Sequence, residues 1–138
     1  MKKEFEKLLN DFKKLNLPDG DYTIYGSGPL AIRGIRKAHD LDVIVSESLY
    51  QKLKEKYSKD PKKERIKMGE IEIYPFWAWE PEINGLDKAI KRAEIIQGLR
   101  FIRLDDLIEC KKKMGRPKDF NDIKLIKDYL QNQNLARS

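Results

Sequence analysis

Tyr22–Ile35 reads YTIYGSGPLAIRGI, and this stretch has the pattern of a β-strand, a tight turn and a short helix. Four good strand formers run into a Gly-Ser-Gly turn, and Pro29 stands where the first turn of a helix tolerates it. A second β-branched run follows at 41–45, and Ser46 behind it is a candidate N-cap for a further helix. This alternation of strand and helix predicts a sheet with helices packed on it.

The flanking segments extend the same pattern. Apolar residues at helical spacing predict an N-terminal helix over 2–16. Strand-like pieces at 65–68 and 70–76 pivot on Gly69, as a hairpin or as one bent strand. Further elements are expected as a short helix near 86–93, strand pieces on either side of a turn at Gly98, and two helices at about 104–114 and 119–131. We therefore expect one domain over 1–138, with a core at 21–103 and a C-terminal helix pair at 104–131. The fold class is α/β or α+β, with a mixed sheet of four to six short strands flanked by helices.

The composition of the chain limits the classes of function and of metal site. The chain has 138 residues, with 29 Lys and Arg against 23 Asp and Glu, so the net charge of +6 favours a polyanionic partner such as a nucleotide or a nucleic acid. The single cysteine, Cys110, excludes an intramolecular disulfide framework and a cysteine-cluster metal site. Neither a signal-peptide core nor a membrane-spanning apolar run occurs, so a cytoplasmic protein is expected.

The most informative chemical pattern is His-Asp-Leu-Asp-Val-Ile-Val at 39–45. Side chains alternate between the two faces of a strand, so Asp40 and Asp42 point to the same face, with their Cβ atoms about 6.6–7 Å apart. Two carboxylates at that spacing bracket one or two divalent ions such as Mg²⁺ and leave coordination positions for phosphate oxygens. The alternative is that Asp40 caps a loop and Asp42 lies in water at an edge.

A third acid follows in Gly-Glu-Ile-Glu-Ile at 69–73. The isoleucines take one face of the strand, so Glu72 on the other face is the preferred third metal ligand. Glu70 is the competing candidate, and a half-exposed strand with its polar face in water is the simpler explanation.

The turn Gly26-Ser27-Gly28 lies where a strand feeds a helix, a geometry that offers backbone N–H groups to an anion. The Ser27 hydroxyl is a further donor. The turn matches neither the P-loop nor the dinucleotide-binding pattern, so both classes are disfavoured.

In this order and spacing, Gly26-Ser27, Asp40-Leu41-Asp42 and the later acid Glu72 resemble the motif of the polymerase-beta-like nucleotidyltransferase superfamily. The stretches 107–111 and 115–123 resemble the C-terminal helices of small nucleotidyltransferases of the AbiEii toxin type. The resemblance covers roughly 21–130, and it implies a nucleotidyltransferase-like fold. It also implies that Lys111 contacts the nucleotide.

The resemblance implies an Mg²⁺-dependent enzyme that transfers NMP from an NTP to an acceptor hydroxyl and releases pyrophosphate. Two Mg²⁺ ions, or Mn²⁺ in their place, would be held by Asp40, Asp42 and Glu72, which are the expected catalytic and metal residues. The expected nucleotide-binding residues are Gly26, Ser27, Gly28, Arg36, Lys111 and Arg116. The acceptor is RNA, a protein or a small molecule, and a homodimer or a cognate partner protein is a further expectation. The alternative is a non-catalytic nucleotide- or RNA-binding module, or a toxin–antitoxin component, with the same fold.

For several side chains the sequence leaves two roles open, one structural and one functional. Lys111 takes an apolar position on its helix, so it either meets an anion or extends along the apolar stripe to water. Arg33 and Arg36 lie near any bound triphosphate or are ordinary surface arginines, and Arg116 is a loop residue or a phosphate contact. Asp119 and Asp122 are expected at the N-cap and N3 of the last helix. The aromatic block 74–79 packs in a core or dimer interface, or it stacks a base.

Overall fold

A computed structural model describes residues 2–57, 64–76 and 85–137. These residues form six strands and six helices. The strands are β1 (Tyr22–Tyr25), β2 (Leu41–Val45), β3 (Ile66–Met68), β4 (Ile71–Tyr74), β5 (Glu94–Ile96) and β6 (Leu99–Phe101). The helices are α1 (Lys2–Lys13), α2 (Gly28–Ile32), α3 (Glu47–Lys56), α4 (Leu86–Arg92), α5 (Leu104–Met114) and α6 (Pro117–Arg137).

The strands make one sheet in the order β3-β4-β2-β1-β6-β5. The central strand β2 pairs antiparallel with β1 and parallel with β4, and the two outer strands close antiparallel hairpins with β4 and β6. The expected mixed α+β sheet is confirmed at its upper limit of six strands. The segments around Gly69 form a hairpin and not one bent strand, because Met68 and Ile71 face each other across the turn.

Two helix boundaries differ from the sequence prediction. α1 ends at Lys13, since the chain then turns tightly through Asn16, whose φ is 51°. α6 begins at Pro117, two residues before the predicted start, because proline fits the first helical position, where no N–H is needed. The same helix continues to Arg137.

Apolar residues cover both faces of the sheet. Leu41, Val43 and Val45 of β2 pack in the cluster that includes α1 and α3, whereas Ile44 packs in the cluster of α5 and α6. Because side chains alternate along the strand, Asp42 shares the face of Ile44. Its carboxylate therefore points toward the side of the sheet that α5 and α6 cover.

The predicted cap of α3 is present: Ser46 is the N-cap, and its hydroxyl accepts a hydrogen bond from the N–H of Leu49 at 3.4 Å. Cys110 is buried, and as the single cysteine of the chain it forms no disulfide within it. Within the three described ranges, every helix is too short or too polar to cross a lipid bilayer.

Candidate functional site

Three carboxylates meet at the end of the sheet. Asp42 lies in β2 directly beside Glu72 of β4 in the parallel register, and Asp40 immediately precedes β2. One oxygen atom from each of the three carboxylates lies within 4.8 Å of the other two. The predicted acidic cluster is therefore assembled, with Glu72 and not Glu70 as its third member.

Gly26 provides the room for this cluster. Its φ is 70°, in the left-handed region that favours glycine, and a Cβ built there would lie 2.6 Å from Asp42 Oδ2. The turn after β1 thus passes directly over the Asp42 carboxylate. Any larger residue at position 26 would push the carboxylate aside or distort the turn.

The cluster is electrostatically unfavourable by itself. Burial, then the charge of Asp40, then Glu72 raise the pKa of Asp42 from 3.8 to about 8. Burial and the charges of Glu72 and Glu70 also raise the pKa of Asp40. Asp42 Oδ1 is buried and has no hydrogen-bond partner within the part of the chain that the structure describes. A buried acceptor without a donor, among three hard oxygen ligands, fits a divalent cation such as Mg²⁺ or Mn²⁺.

Sequence reasoning missed one side chain of the cluster. Arg65, just before β3, makes an ion pair with Glu72 at 2.5 Å and donates a weaker hydrogen bond to the Tyr74 hydroxyl at 3.3 Å. The β3–β4 register, in which Lys67 faces Glu72, places Arg65 diagonally across from Glu72 on the same face. The hairpin pattern around Gly69 was the signal that could have located Arg65.

The cluster forms one wall of a cleft of about 380 Å³, and the α5–α6 helix pair forms the other. The cleft is lined by Gly26, Ser27, Arg36, Lys111 and Arg116 of the predicted nucleotide-binding set, together with the three carboxylates. The sheet wall is acidic and the helix wall carries most of the cations. Such an arrangement presents carboxylates to a metal on one side and cations to an anion on the other.

Two buried aspartates of α6 organise the helix wall. Asp122 accepts hydrogen bonds from Arg36 at 2.7 and 2.8 Å and from Lys111 at 2.9 Å. Asp119 accepts from the Arg116 side chain at 2.6 and 3.0 Å. Burial acts to raise the pKa of both carboxyls, but these donors outweigh it and lower the pKa of each below its ordinary value. Three cations are thus held in place by two anions.

These contacts decide between the explanations given for the same side chains. Lys111 is 3% exposed and ends on Asp122, so it does not extend to water. The predicted N-cap and N3 positions were wrong, because α6 begins at Pro117. Asp119 occupies N3 and accepts from the backbone N–H of Arg116 at 3.1 Å, whereas Asp122 lies a turn further along and acts on side chains.

Gly28, an expected nucleotide-binding residue, and Arg33, one of the arginines considered near a bound triphosphate, do not line the cleft. Arg33 donates to the Pro29 carbonyl at 2.7 Å and pairs with Glu94 at 2.9 Å, away from the cleft. Gly28 is buried, and a Cβ there would lie 2.8 Å from Ile24 Cγ2. Its lack of a side chain therefore allows α2 to pack closely on β1, and it does not line the cleft.

The aromatic block is only partly described, because 77–79 lie outside the described residues. Tyr74, at its start, lines the cleft and packs edge-on against Tyr25, with ring centroids 5.9 Å apart. Tyr25 was not singled out by sequence reasoning, although its position directly before Gly26 places it beside the site.

Comparison with protein-family models, with curated proteins and with solved structures found no match.

Proposed function

We propose that the chain is a metal-dependent nucleotidyltransferase that transfers NMP from an NTP to an acceptor hydroxyl. The supporting observation is that one cleft holds both the Asp40, Asp42 and Glu72 cluster and the turn at Ser27. In the reaction, the hydroxyl oxygen bonds to the α-phosphorus while the bond from that phosphorus to the bridging oxygen breaks. Pyrophosphate leaves with the bonding electrons, and the hydroxyl proton is released to water.

Asp40, Asp42 and Glu72 would hold the divalent ions, either Mg²⁺ or Mn²⁺. When bound, the metal neutralises phosphate charge and makes an attacking hydroxyl more acidic. A carboxyl binds metal in its ionised form. Because the pKa of Asp42 is raised to about 8, metal binding near neutral pH displaces a proton from this group.

The remaining cleft residues act on the triphosphate. The Ser27 hydroxyl donates to a phosphate oxygen, and Lys111, Arg36 and Arg116 compensate the negative charge on the opposite wall. Asp119 and Asp122 keep these three cations in fixed positions, so little reorganisation is needed when the nucleotide enters. We place the reaction in the cytoplasm, where NTPs are available.

The direct test is NMP transfer from each labelled NTP, with Mg²⁺ or Mn²⁺, to RNA, to protein and to small hydroxyl compounds. We expect Asp42→Asn to abolish transfer and to leave the circular dichroism spectrum unchanged. Asp128→Asn, an exposed acid of α6, makes the same chemical change away from the cleft and retains activity. Equal turnover in the wild type and in Asp42→Asn would refute the metal assignment.

A second candidate is a nucleotide-binding module without transferase activity. The ion pair between Arg65 and Glu72 favours it, because it engages the third carboxylate with a cation of the chain. This candidate predicts that NTPs raise the melting temperature while no labelled product forms with any acceptor. Metal-dependent product formation excludes it.

A further inference from the structure

The positive charge of the chain is concentrated beside the cleft. The 17 residues from Lys111 to Lys127 contain seven Lys or Arg and two acids, which is five of the six net charges of the chain. Both acids, Asp119 and Asp122, are almost completely buried, at 1% and 3% exposed. The outer surface of this segment is therefore strongly positive, although the exposed Glu109 just before it on α5 pairs with Lys112 at 3.4 Å.

Exposed apolar side chains lie among these cations. Phe120 is 55% exposed and Met114 is 42% exposed, and both are near the turn that joins α5 to α6. Met114 and Lys118 also line the cleft, and Phe120 directly follows Asp119, another residue of the cleft lining. The surface thus begins at the mouth of the cleft. We call it the basic face, and it consists of Lys112, Lys113, Met114, Lys118, Phe120 and Lys124.

We propose that the basic face binds the acceptor, and that the acceptor is a single-stranded nucleic acid whose terminal hydroxyl enters the cleft. This inference rests on the proposed function, because it assigns the acceptor of that same transfer. Lysines at the surface compensate backbone phosphates, and an exposed aromatic ring stacks on an unpaired base of any sequence. An acidic protein with apolar side chains at its surface would also match this face, so transfer to a protein is one outcome of the test.

The proposed stacking on Phe120 also favours a single strand over a duplex as the bound nucleic acid. Stacking on Phe120 requires a base whose face is free, and bases within a duplex are stacked on each other. The strand's terminal hydroxyl oxygen is the atom that bonds to the α-phosphorus, with pyrophosphate as the leaving group. A flexible single strand reaches the cleft beside Met114 more readily than the blunt end of a helix.

The test is fluorescence anisotropy of labelled oligonucleotides of about 16 nucleotides, as single-stranded RNA, single-stranded DNA and duplex, over a salt series. The lysine variant is Lys112→Gln/Lys113→Gln/Lys124→Gln. Its matched control is Lys3→Gln/Lys7→Gln/Lys14→Gln, which removes the same charge from exposed positions on and just after α1. For the aromatic ring, Phe120→Ala is compared with Ile95→Ala, since Ile95 is also 55% exposed.

We expect single strands to bind more tightly than the duplex. The lysine variant should lower the slope of log affinity against log salt by about 2, and Phe120→Ala should weaken binding about tenfold. Neither control should change binding by more than about twofold. A preference for RNA or for DNA identifies the acceptor within this class.

Other results would overturn the inference. An equal loss of affinity in the α1 control variant would show that binding depends on net charge alone. An unchanged affinity in Phe120→Ala would exclude a surface for single strands. Tighter binding of the duplex than of the single strands would exclude it as well. Absence of oligonucleotide binding together with transfer to a protein would show a different acceptor while the proposed function stands. Oligonucleotide binding without transfer of NMP would instead contradict the proposed function and leave the basic face as a binding surface.

Discussion

Lys111 Nζ donates a hydrogen bond of 2.9 Å to Asp122 Oδ2, and both side chains are almost completely buried. The same carboxylate accepts two hydrogen bonds from Arg36, so α5, α6 and the segment between α2 and β2 are joined at one point. A buried carboxylate with several cationic donors stabilises the fold and also fixes the positions of cations that face the cleft. This dual role leads to the first prediction.

Asp122→Asn should lower the free energy of unfolding by about 3 kcal/mol, because removal of one partner leaves a buried charge without compensation. Asp119 lies 3.8 Å from Lys111 Nζ and compensates it only in part. Urea unfolding gives the value. The exposed control Asp128→Asn should change stability by no more than about 0.5 kcal/mol.

The double variant Asp122→Asn/Lys111→Met should lose less than the sum of the two single variants, since the unpaired charge is removed with its partner. Strict additivity would show that the two side chains are not energetically coupled.

The metal-free protein should become less stable as the pH rises from about 4 to about 8. In the unfolded chain the Asp42 carboxyl has its ordinary pKa of 3.8, whereas in the folded chain the pKa is about 8. Between these values the folded state holds a proton that the unfolded state has lost, so the free energy of unfolding falls with rising pH, at up to about 1.4 kcal/mol per pH unit. Urea unfolding at several pH values in EDTA measures this slope.

Asp42→Asn should flatten that slope and raise the stability of the metal-free protein at pH 8. Added Mn²⁺ should stabilise the wild type at pH 8 and have little effect on this variant. A metal-free wild type that is more stable at pH 8 than at pH 5 would contradict the raised pKa.

Gly26→Ala should impair metal binding more than Gly34→Ala. Both glycines have positive φ, 70° and 74°, so alanine at either position introduces backbone strain of about 1–2 kcal/mol. At position 26 the new Cβ would also meet Asp42 Oδ2 at 2.6 Å, whereas a Cβ at position 34 would meet no atom of another described residue within 4 Å, its two chain neighbours aside. Mn²⁺ affinity from titration calorimetry should fall in Gly26→Ala alone. An equal fall in both variants would mean that the turn affects the carboxylates only through stability.

Arg65→Met should increase the affinity for Mn²⁺ in the absence of nucleotide, because Arg65 and a metal compete for the Glu72 carboxylate. Thermal shift and calorimetry with Mn²⁺ measure the gain. In a Glu72→Gln background the same substitution should give no gain, since the shared carboxylate is absent. A loss of affinity in Arg65→Met would show that Arg65 supports the metal site by holding Glu72 in place.

The acidic part of the site was predictable from local pattern. Asp40 and Asp42 flank Leu41, and Glu72 lies between two isoleucines, so strand alternation alone assigns the faces of Asp42 and Glu72. Strand pairing then determines which acids meet, and the parallel register of β2 and β4 selects Glu72 over Glu70. Arg65 was not predicted because its contact with Glu72 depends on the register of the β3–β4 hairpin, and the sequence left open whether these segments form a hairpin or one bent strand.

The sequence by itself determined the succession of strands and helices along the chain, the buried faces of the amphipathic elements, the glycine turn and the excess of positive charge. These features follow from periodicity and composition within short stretches of the chain. Only the tertiary structure decided which charges meet. Arg36 reaches Asp122 across 86 positions of the chain, and Arg33, only three residues earlier, turns to Pro29 and Glu94. Side chains so far apart in sequence come together through the packing of helices on the sheet, and no local pattern encodes the orientation of one helix against another.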